Sequence, residues 1–505
     1  MTATTGARIK LNAEAIRSGA LATCDVLLPT PEMLALPEKV VQFGTGAFLR
    51  GFVDFFVDEA NRRGLLGGRV VAIGSTSSGR DIALNEQDGL YTLLVEGIAD
   101  GATVRERRII ASVSRALSAQ RDWNSILEVA RGPAIELVFS NTTEVGIAIE
   151  NGDALDAAPP PSYPGKLARF LLERGRTFDF ADEAGVIVLP CELIERNGER
   201  LRDLVLTLAR RWRVEAAFSE WVERAVPFCN TLVDRIVPGK PNDEQRAALA
   251  EATPYRDDLT IVAEPYRLFA IAATRSRRIR FAEVDPGIVL TDDVTAYRER
   301  KVRILNGGHT LIAAVGLLAG CETVRAVVQH ELLAPYLDRL LFEEIVPSLT
   351  VPDGEAFARD VLDRFANPFL RHALADITLQ QTAKMRVRVV PSIVRGTERS
   401  GRVPRSLAFG FAAYLVFVRE SLRGLSAGTD NDGERVRVLW RSASDDSDGT
   451  LHRVTTEVCA DEALWQTDLT RLPGFVDGVA GSVIRIVRDG IGPALDAHLA
   501  MVSQP

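Results

Sequence analysis

Lys301, Asn306 and His309, inside the stretch YRERKVRILNGGHT that begins at Tyr297, are residue types that together can move a proton while a hydride leaves or joins the same carbon. Lysine exchanges the proton, and an amide and an imidazole hydrogen-bond the oxygen on which charge develops. Read as an α-helix at about 100° per residue, the three fall at roughly 0°, 140° and 80° around the axis, on one side. Gly307 and Gly308 follow, each costing a helix interior ~1 kcal/mol relative to alanine, so the sequence predicts that something needs the space they leave. The chain has 60 Lys and Arg, of which lysine occupies only positions 10, 39, 166, 240, 301 and 384. Arginine holds its proton, whereas lysine can be tuned into a base, which marks Lys301 and Lys384.

A second chemical signal lies near the start. VVQFGTGAFLR, from Val40, reads as an apolar strand running into Gly44, Thr45 and Gly46 and then an amphipathic helix. Two glycines permit a tight turn and close approach of backbone to a pyrophosphate, whose charge a helix N-terminus stabilises. Leu49 stands where a third glycine would complete the pattern. After the next strand, GSTSSGRD from Gly74 has no early acidic residue to hold an adenosine ribose, and its hydroxyls with Arg80 suit a ribose or a 2′-phosphate. These residues leave NAD and NADP both open.

Such groups need a scaffold. Strands are expected at 39–43, 69–74, 108–113, 135–140 and 186–190, with helices at 48–63, 121–131 and 165–175; this alternation implies crossovers and a mostly parallel sheet. From about Thr295 the apolar spacing becomes helical, in LIAAVGLLAG, ETVRAVVQHELLAPYLDRLLFEEIV and SLAFGFAAYLVFVRESLRGL. The expected fold is α/β: a Rossmann-type dinucleotide-binding domain over 1–288, then a predominantly α-helical domain over 289–505 that carries substrate and catalytic groups. At 505 residues the chain is long enough for two such cores.

Composition narrows the function. A net charge of −8 argues against nucleic acid as the main partner, and leaves a small molecule. The longest apolar stretches, such as Leu311 to Cys321, fall short of the ~20 residues of a membrane span, and the first residues lack a signal-peptide layout; a cytoplasmic monomer is expected. Five scattered cysteines and five scattered histidines show no metal-ligand spacing, so no metal is expected. SASDDSDGT, from Ser442, lacks the spaced carboxylates and closing glutamate of a calcium loop. Tyr297 and Lys301 form a literal YxxxK, but beyond the expected dinucleotide domain.

GTGAFLR from Gly44 resembles the GxGxFxR turn of the polyol-specific long-chain dehydrogenases, the mannitol dehydrogenase family, and KVRILNGGHT from Lys301 resembles their KxxxLNGxH signature. QDGLYTLL, SNTTEVGI, TLVDRIVPG, EPYRLF and RFANPFLRH extend the resemblance over almost the whole chain. It implies Lys301 as general acid/base, Asn306 and His309 as the groups that hold the reacting oxygen, and Gly44, Gly46, Phe48 and Arg50 along an NAD cofactor. Asn141 and Glu144 would lie near its nicotinamide half, and Arg371 and Lys384 would face substrate. Where the mannitol and mannonate enzymes usually carry CDN, this chain has CELIERNG, with Leu193 in place of the asparagine; Asn197 is the candidate to replace it at substrate. CELI with LNGGHT is more similar to the branch that interconverts D-altronate and D-tagaturonate. The alternatives left open are fructuronate or mannonate, a neutral polyol, and a dinucleotide sensor without catalysis.

Overall fold

The computed structural model describes residues 8–22, 24–75, 79–142, 146–273 and 279–502. These fall into two compact units, one within residues 1–96 and 103–294, the other within residues 97–102 and 295–505.

The first unit is built on five parallel strands: β1 (Glu38–Phe43), β2 (Arg69–Gly74), β3 (Val113–Ser118), β4 (Leu137–Ser140) and β5 (Ile187–Pro190), in the order β3-β2-β1-β4-β5. RVVAIG, LVFS and IVLP are almost continuously apolar because both faces of the sheet are covered. Val40, Val70, Phe139 and Leu189 face one core, filled from the helix Val53–Arg62. Val41, Val71, Val138 and Val188 face the other, filled from the helices Trp123–Ala130, Tyr163–Thr177 and Asn197–Trp212. β1 is flanked by β2 and β4, so the strand order reverses beside it. The crevice at the carboxyl ends of such strands is where this kind of sheet binds ligands.

Two local expectations are corrected. The run 108–113 is not one strand: one strand ends at Ile110 and β3 starts at Val113. The Ala111 amide goes to Asp58 Oδ1 at 2.9 Å and its carbonyl takes Arg69 Nε at 3.1 Å, so side chains occupy the groups that a ladder would have used. The helix expected over 48–63 is two, Ala47–Gly51 and Val53–Arg62, broken at Phe52 (φ −128°, ψ −71°).

The second unit is helical. Arg405–Ser421 is buried from Ser406 to Arg419 and packs against the helices Gly308–Leu318 and Phe475–Asp489. The helix expected over 322–346 is broken into Val324–Val328, Leu333–Asp338 and a π-helix, Arg339–Ile345. Pro335 supplies the reason, since it has no N–H for a continuous helix and is tolerated only near a helix start. Among the described residues no helix is long and apolar enough to cross a membrane.

Beneath the β1 turn lies a buried polar cluster. Gln42 Nε2 donates to the Gly44 carbonyl at 3.1 Å, and Tyr91 Oη lies 2.8 Å from the Arg50 carbonyl and 3.1 Å from Asp54 Oδ2. One hydroxyl proton cannot serve both oxygens, so a protonated Asp54 that donates to Oη satisfies the cluster best. Burial pushes the Asp54 carboxyl up to about 7, against the opposing pull of Tyr91 and Arg50. A folded-state pKa raised from 3.8 means that this group favours folding most below 3.8, and that the benefit is lost as pH rises through about 7. An Asp54→Asn variant should therefore gain Tm relative to wild type as pH rises from about 4 to about 7. Thermal melts across that window check it, and a constant difference would place the proton elsewhere.

Candidate active site

Gly44 has φ +136°, a conformation that side chains rarely adopt, and a Cβ there would lie 2.8 Å from Leu49 Cδ1. Leu49, standing where a third glycine would be expected, thus packs over the turn. Gly46 is different: its backbone is extended (φ −67°, ψ 165°) and a Cβ there meets nothing within 4 Å. This open space beside the turn suits the cradle of a dinucleotide. Phe48 stacks on Phe52 at 5.1 Å. Arg50 is corrected from lining to support: it is buried, gives Nη1 to the Leu259 carbonyl at 2.8 Å and lies over the Tyr91 ring, holding the turn from within. Arg80 reaches the Thr45 carbonyl at 3.5 Å.

At the ends of β4 and β5, Asn141 Nδ2 donates to the Cys191 carbonyl at 2.8 Å, and Glu192 accepts from Ser140 Oγ at 3.1 Å and the Thr142 amide at 2.8 Å. Burial pushes the Glu192 carboxyl up, and these hydrogen bonds pull it back. Glu144 lies outside the described residues. Leu193 is 59% exposed and offers no hydrogen bond. Asn197 does not replace the missing asparagine at substrate. Its Nδ2 meets the carbonyls of Pro190 and Glu192 at 3.0 Å and Thr231 Oγ1 at 3.1 Å, while its Oδ1 accepts the Gly198 and Thr231 amides at 2.9 Å. Both ends of the amide are spent on closing the carboxyl end of β5.

In the second unit the catalytic candidates stand on a π-helix, Lys301–Gly307, that continues as the α-helix Gly308–Leu318. This corrects the α-helical angles. Backbone bonds from i to i+5 bring Lys301 and Asn306 closer to one face of the helix than the roughly 140° that an α-helix would set between them. The Asn306 carbonyl accepts from Thr310 Oγ1 at 2.7 Å, and among the described residues nothing hydrogen-bonds its side-chain amide. His309 is buried, stacked on Phe365 at 4.1 Å and edge-on to His372 at 4.8 Å.

Protein, not ligand, fills the space left by the two glycines. A Cβ on Gly307 would lie 3.3 Å from the Arg388 carbonyl, and one on Gly308 3.3 Å from Leu341 Cδ2. Arg388 and Leu341 belong to two further π-helices, Met385–Val389 and Arg339–Ile345. Arg303 donates to the Val387 carbonyl and pairs with Glu299 at 3.2 Å, tying the first two together. Arg371 is 80% exposed and meets Glu322 at 3.6 Å. Lys384 is half-buried and gives Nζ to the Ile377 carbonyl at 3.0 Å. Sequence reasoning missed His372 and Arg388, although His372 ends the quoted RFANPFLRH. The described residues contain no group of acidic, histidine or cysteine side chains placed to hold a metal ion.

Residues 38–282 match the model of the mannitol dehydrogenase Rossmann domain, and residues 293–487 that of the mannitol dehydrogenase C-terminal domain. The chain belongs to the mannitol dehydrogenase family. It is 38% identical to the altronate oxidoreductase of Shigella flexneri over 467 residues, 91% of this chain and 96% of that one. It is 39% identical to the altronate oxidoreductase of Cronobacter sakazakii, over the same shares of the two chains. Two solved structures share the fold, each at 24% identity. The mannitol 2-dehydrogenase of Pseudomonas fluorescens, in a ternary complex with NAD and D-mannitol, has a TM-score of 0.68, covering 98% of this chain and 100% of that one. A substrate-free D-sorbitol dehydrogenase has a TM-score of 0.73, covering 95% and 99%.

Within this family fold the two glycines of the turn should respond differently to substitution. Gly46→Val should leave Tm close to wild type and raise the Kd for NADH at least ~10-fold, about 1.4 kcal/mol, because the added side chain enters only the space kept for ligand. Gly44→Ala should lower Tm. Melting curves and NADH fluorescence titrations check both.

Proposed function

We propose that this chain is an NAD-dependent altronate oxidoreductase that interconverts D-altronate and D-tagaturonate, with Lys301 as general acid/base. The observation that carries the reading is the placement of Lys301 and Asn306 five residues apart on one π-helix, with His309 at the start of the α-helix that continues it. The sequence similarity to altronate oxidoreductases over 91% of the chain supports the choice of substrate.

Gly44, Gly46 and Phe48 would hold the dinucleotide, with Asn141 toward its nicotinamide half. Bound there, the dinucleotide would supply the acceptor for the hydride of the alcohol carbon, or the hydride for the ketone. In oxidation, neutral Lys301 takes the hydroxyl proton as the C–H bond gives up its hydride, and one proton is released overall. In reduction, the Lys301 ammonium donates that proton to the oxygen. Asn306, whose amide is not spent on the protein, donates to the same oxygen as its charge grows. His309 is fixed in orientation by its stacking on Phe365. Holding donors in place before the charge develops avoids reorganisation during the reaction. Lys384 and Arg371 are the residues assigned to substrate beyond the reacting carbon.

Two experiments test this function. With NADH, purified protein should reduce tagaturonate with a higher kcat/KM than fructuronate or fructose, and NADPH should serve less well. Preference for fructose would transfer the chain to the polyol enzymes, and no turnover with any of them would favour a sensor. Lys301→Ala should cut kcat by ~10²-fold or more while NADH still binds. Lys301→Arg should fail similarly, because a guanidinium does not give up its proton in this pH range. Near-normal turnover by the arginine variant would exclude Lys301 as the proton carrier.

A further inference from the structure

Lys384, Arg386 and Arg388 alternate along one segment of the second unit, yet their charges are treated differently. Arg386 is neutralised by Asp432 at 2.9 Å and also reaches the Leu464 carbonyl at 3.1 Å. Lys384 and Arg388 are half-buried and hydrogen-bond only neutral groups, the Ile377 carbonyl at 3.0 Å and Thr310 Oγ1 at 3.3 Å. Among the described residues no carboxylate pairs with either. Asp430, the acid that Lys384 senses, is occupied by the Thr382 amide at 3.0 Å, Thr382 Oγ1 at 2.6 Å and the Gly433 amide at 3.3 Å. Asp376, which His372 senses, is exposed.

Keeping cations out of water without a counter-charge is costly. Burial lowers the Lys384 ammonium from its ordinary value and the Arg388 charge lowers it further, while burial and then Lys384 lower His372. A protein that pairs Arg386 on the same segment but leaves its neighbours uncompensated has kept a place for an anion. That place adjoins the proposed reacting groups: His372 stands edge-on to His309 at 4.8 Å, and Arg388 is one hydroxyl, Thr310, away from the Asn306 carbonyl.

We propose that Arg388 and His372 join Lys384 to form the subsite that receives the carboxylate of the sugar acid, with Arg388 as the main discriminator against a neutral ketose. The inference rests on the reading of the chain as an altronate oxidoreductase. In tagaturonate the carboxylate lies four carbon–carbon bonds from the keto carbon, roughly 5 Å when extended. A substrate oxygen held by Asn306 and His309 therefore leaves the carboxylate within reach of the cations behind them. A guanidinium offers a carboxylate paired donors that a hydroxymethyl group cannot use.

The test compares tagaturonate with tagatose, which has a hydroxymethyl group in place of the carboxylate, in the full-length protein with saturating NADH. The ratio of the two kcat/KM values should fall at least ~10-fold in Arg388→Met, mainly through KM for tagaturonate. It should fall less in Arg388→Lys, which keeps the charge and loses the fork. Should Arg388→Met not fold, Lys384→Met and His372→Asn carry the same comparison, and each should lower the ratio. A wild-type enzyme indifferent to the carboxylate would overturn the altronate reading and the subsite with it. A wild-type preference that survives these substitutions, with equal losses on both ketoses, would overturn the subsite alone and leave Arg388 as a support for Thr310.

Discussion

The chemistry assigned to the second unit depends on a change of hydrogen-bond register between Lys301 and Gly307. In an α-helix these catalytic candidates would share a side only loosely. The i to i+5 register brings Lys301 and Asn306 closer to a common face. Such a register is uncommon because it widens the helix and weakens its internal contacts, and here neighbouring segments hold it in place. Gly307 lets the Arg388 carbonyl approach, Arg303 caps the Val387 carbonyl, and Thr310 satisfies the Asn306 carbonyl. Two of the three π-helices thus brace each other, and the third, through Leu341, closes on Gly308.

Hydrogen-bond accounting separates groups that build the fold from groups available for chemistry. Asn197 and Asn306 are the same residue type beside similar glycines, yet every polar atom of the Asn197 amide is engaged while the Asn306 amide is not. Arg50 and Arg388 differ in where their charge is turned. Arg50 is drawn inward to a backbone carbonyl and an aromatic ring; Arg388 keeps a charge that no carboxylate of the described residues cancels. A buried polar group whose partners are complete has little to offer a ligand, and one with incomplete partners is stable only if something else completes it.

The first unit meets a different constraint. Its sheet is covered on both faces, so function is confined to the carboxyl ends of the strands, where β1, β4 and β5 run out into Gly44, Asn141 and Cys191. The polar cluster of Gln42, Arg50, Asp54 and Tyr91 supports that edge from beneath. Its cost is a buried carboxyl that is most comfortable when protonated, which links the β1 turn to pH in a way that strand patterning does not reveal.

The sequence by itself determined the kind of fold and the chemical vocabulary of the site. Continuous apolar runs announced β1, β2, β4 and β5 within a residue or two, and helical spacing announced the change of character near Thr295, because burial on one or two faces leaves its period in the chain. Lys301, Asn306 and His309 stood out as a candidate group from residue type and spacing alone. Their α-helical angles were not the real ones, since hydrogen-bond register in a helix is decided by what packs against it. Tertiary structure also decided which look-alike residues are free. Asn197 was unreadable as a structural clamp because its partners Pro190, Glu192 and Thr231 come from two other segments, and Arg388 gave no local signal because a missing counter-charge is a property of neighbours in space. Composition and periodicity are local and survive in the sequence; saturation of hydrogen bonds and neutralisation of charge are three-dimensional sums.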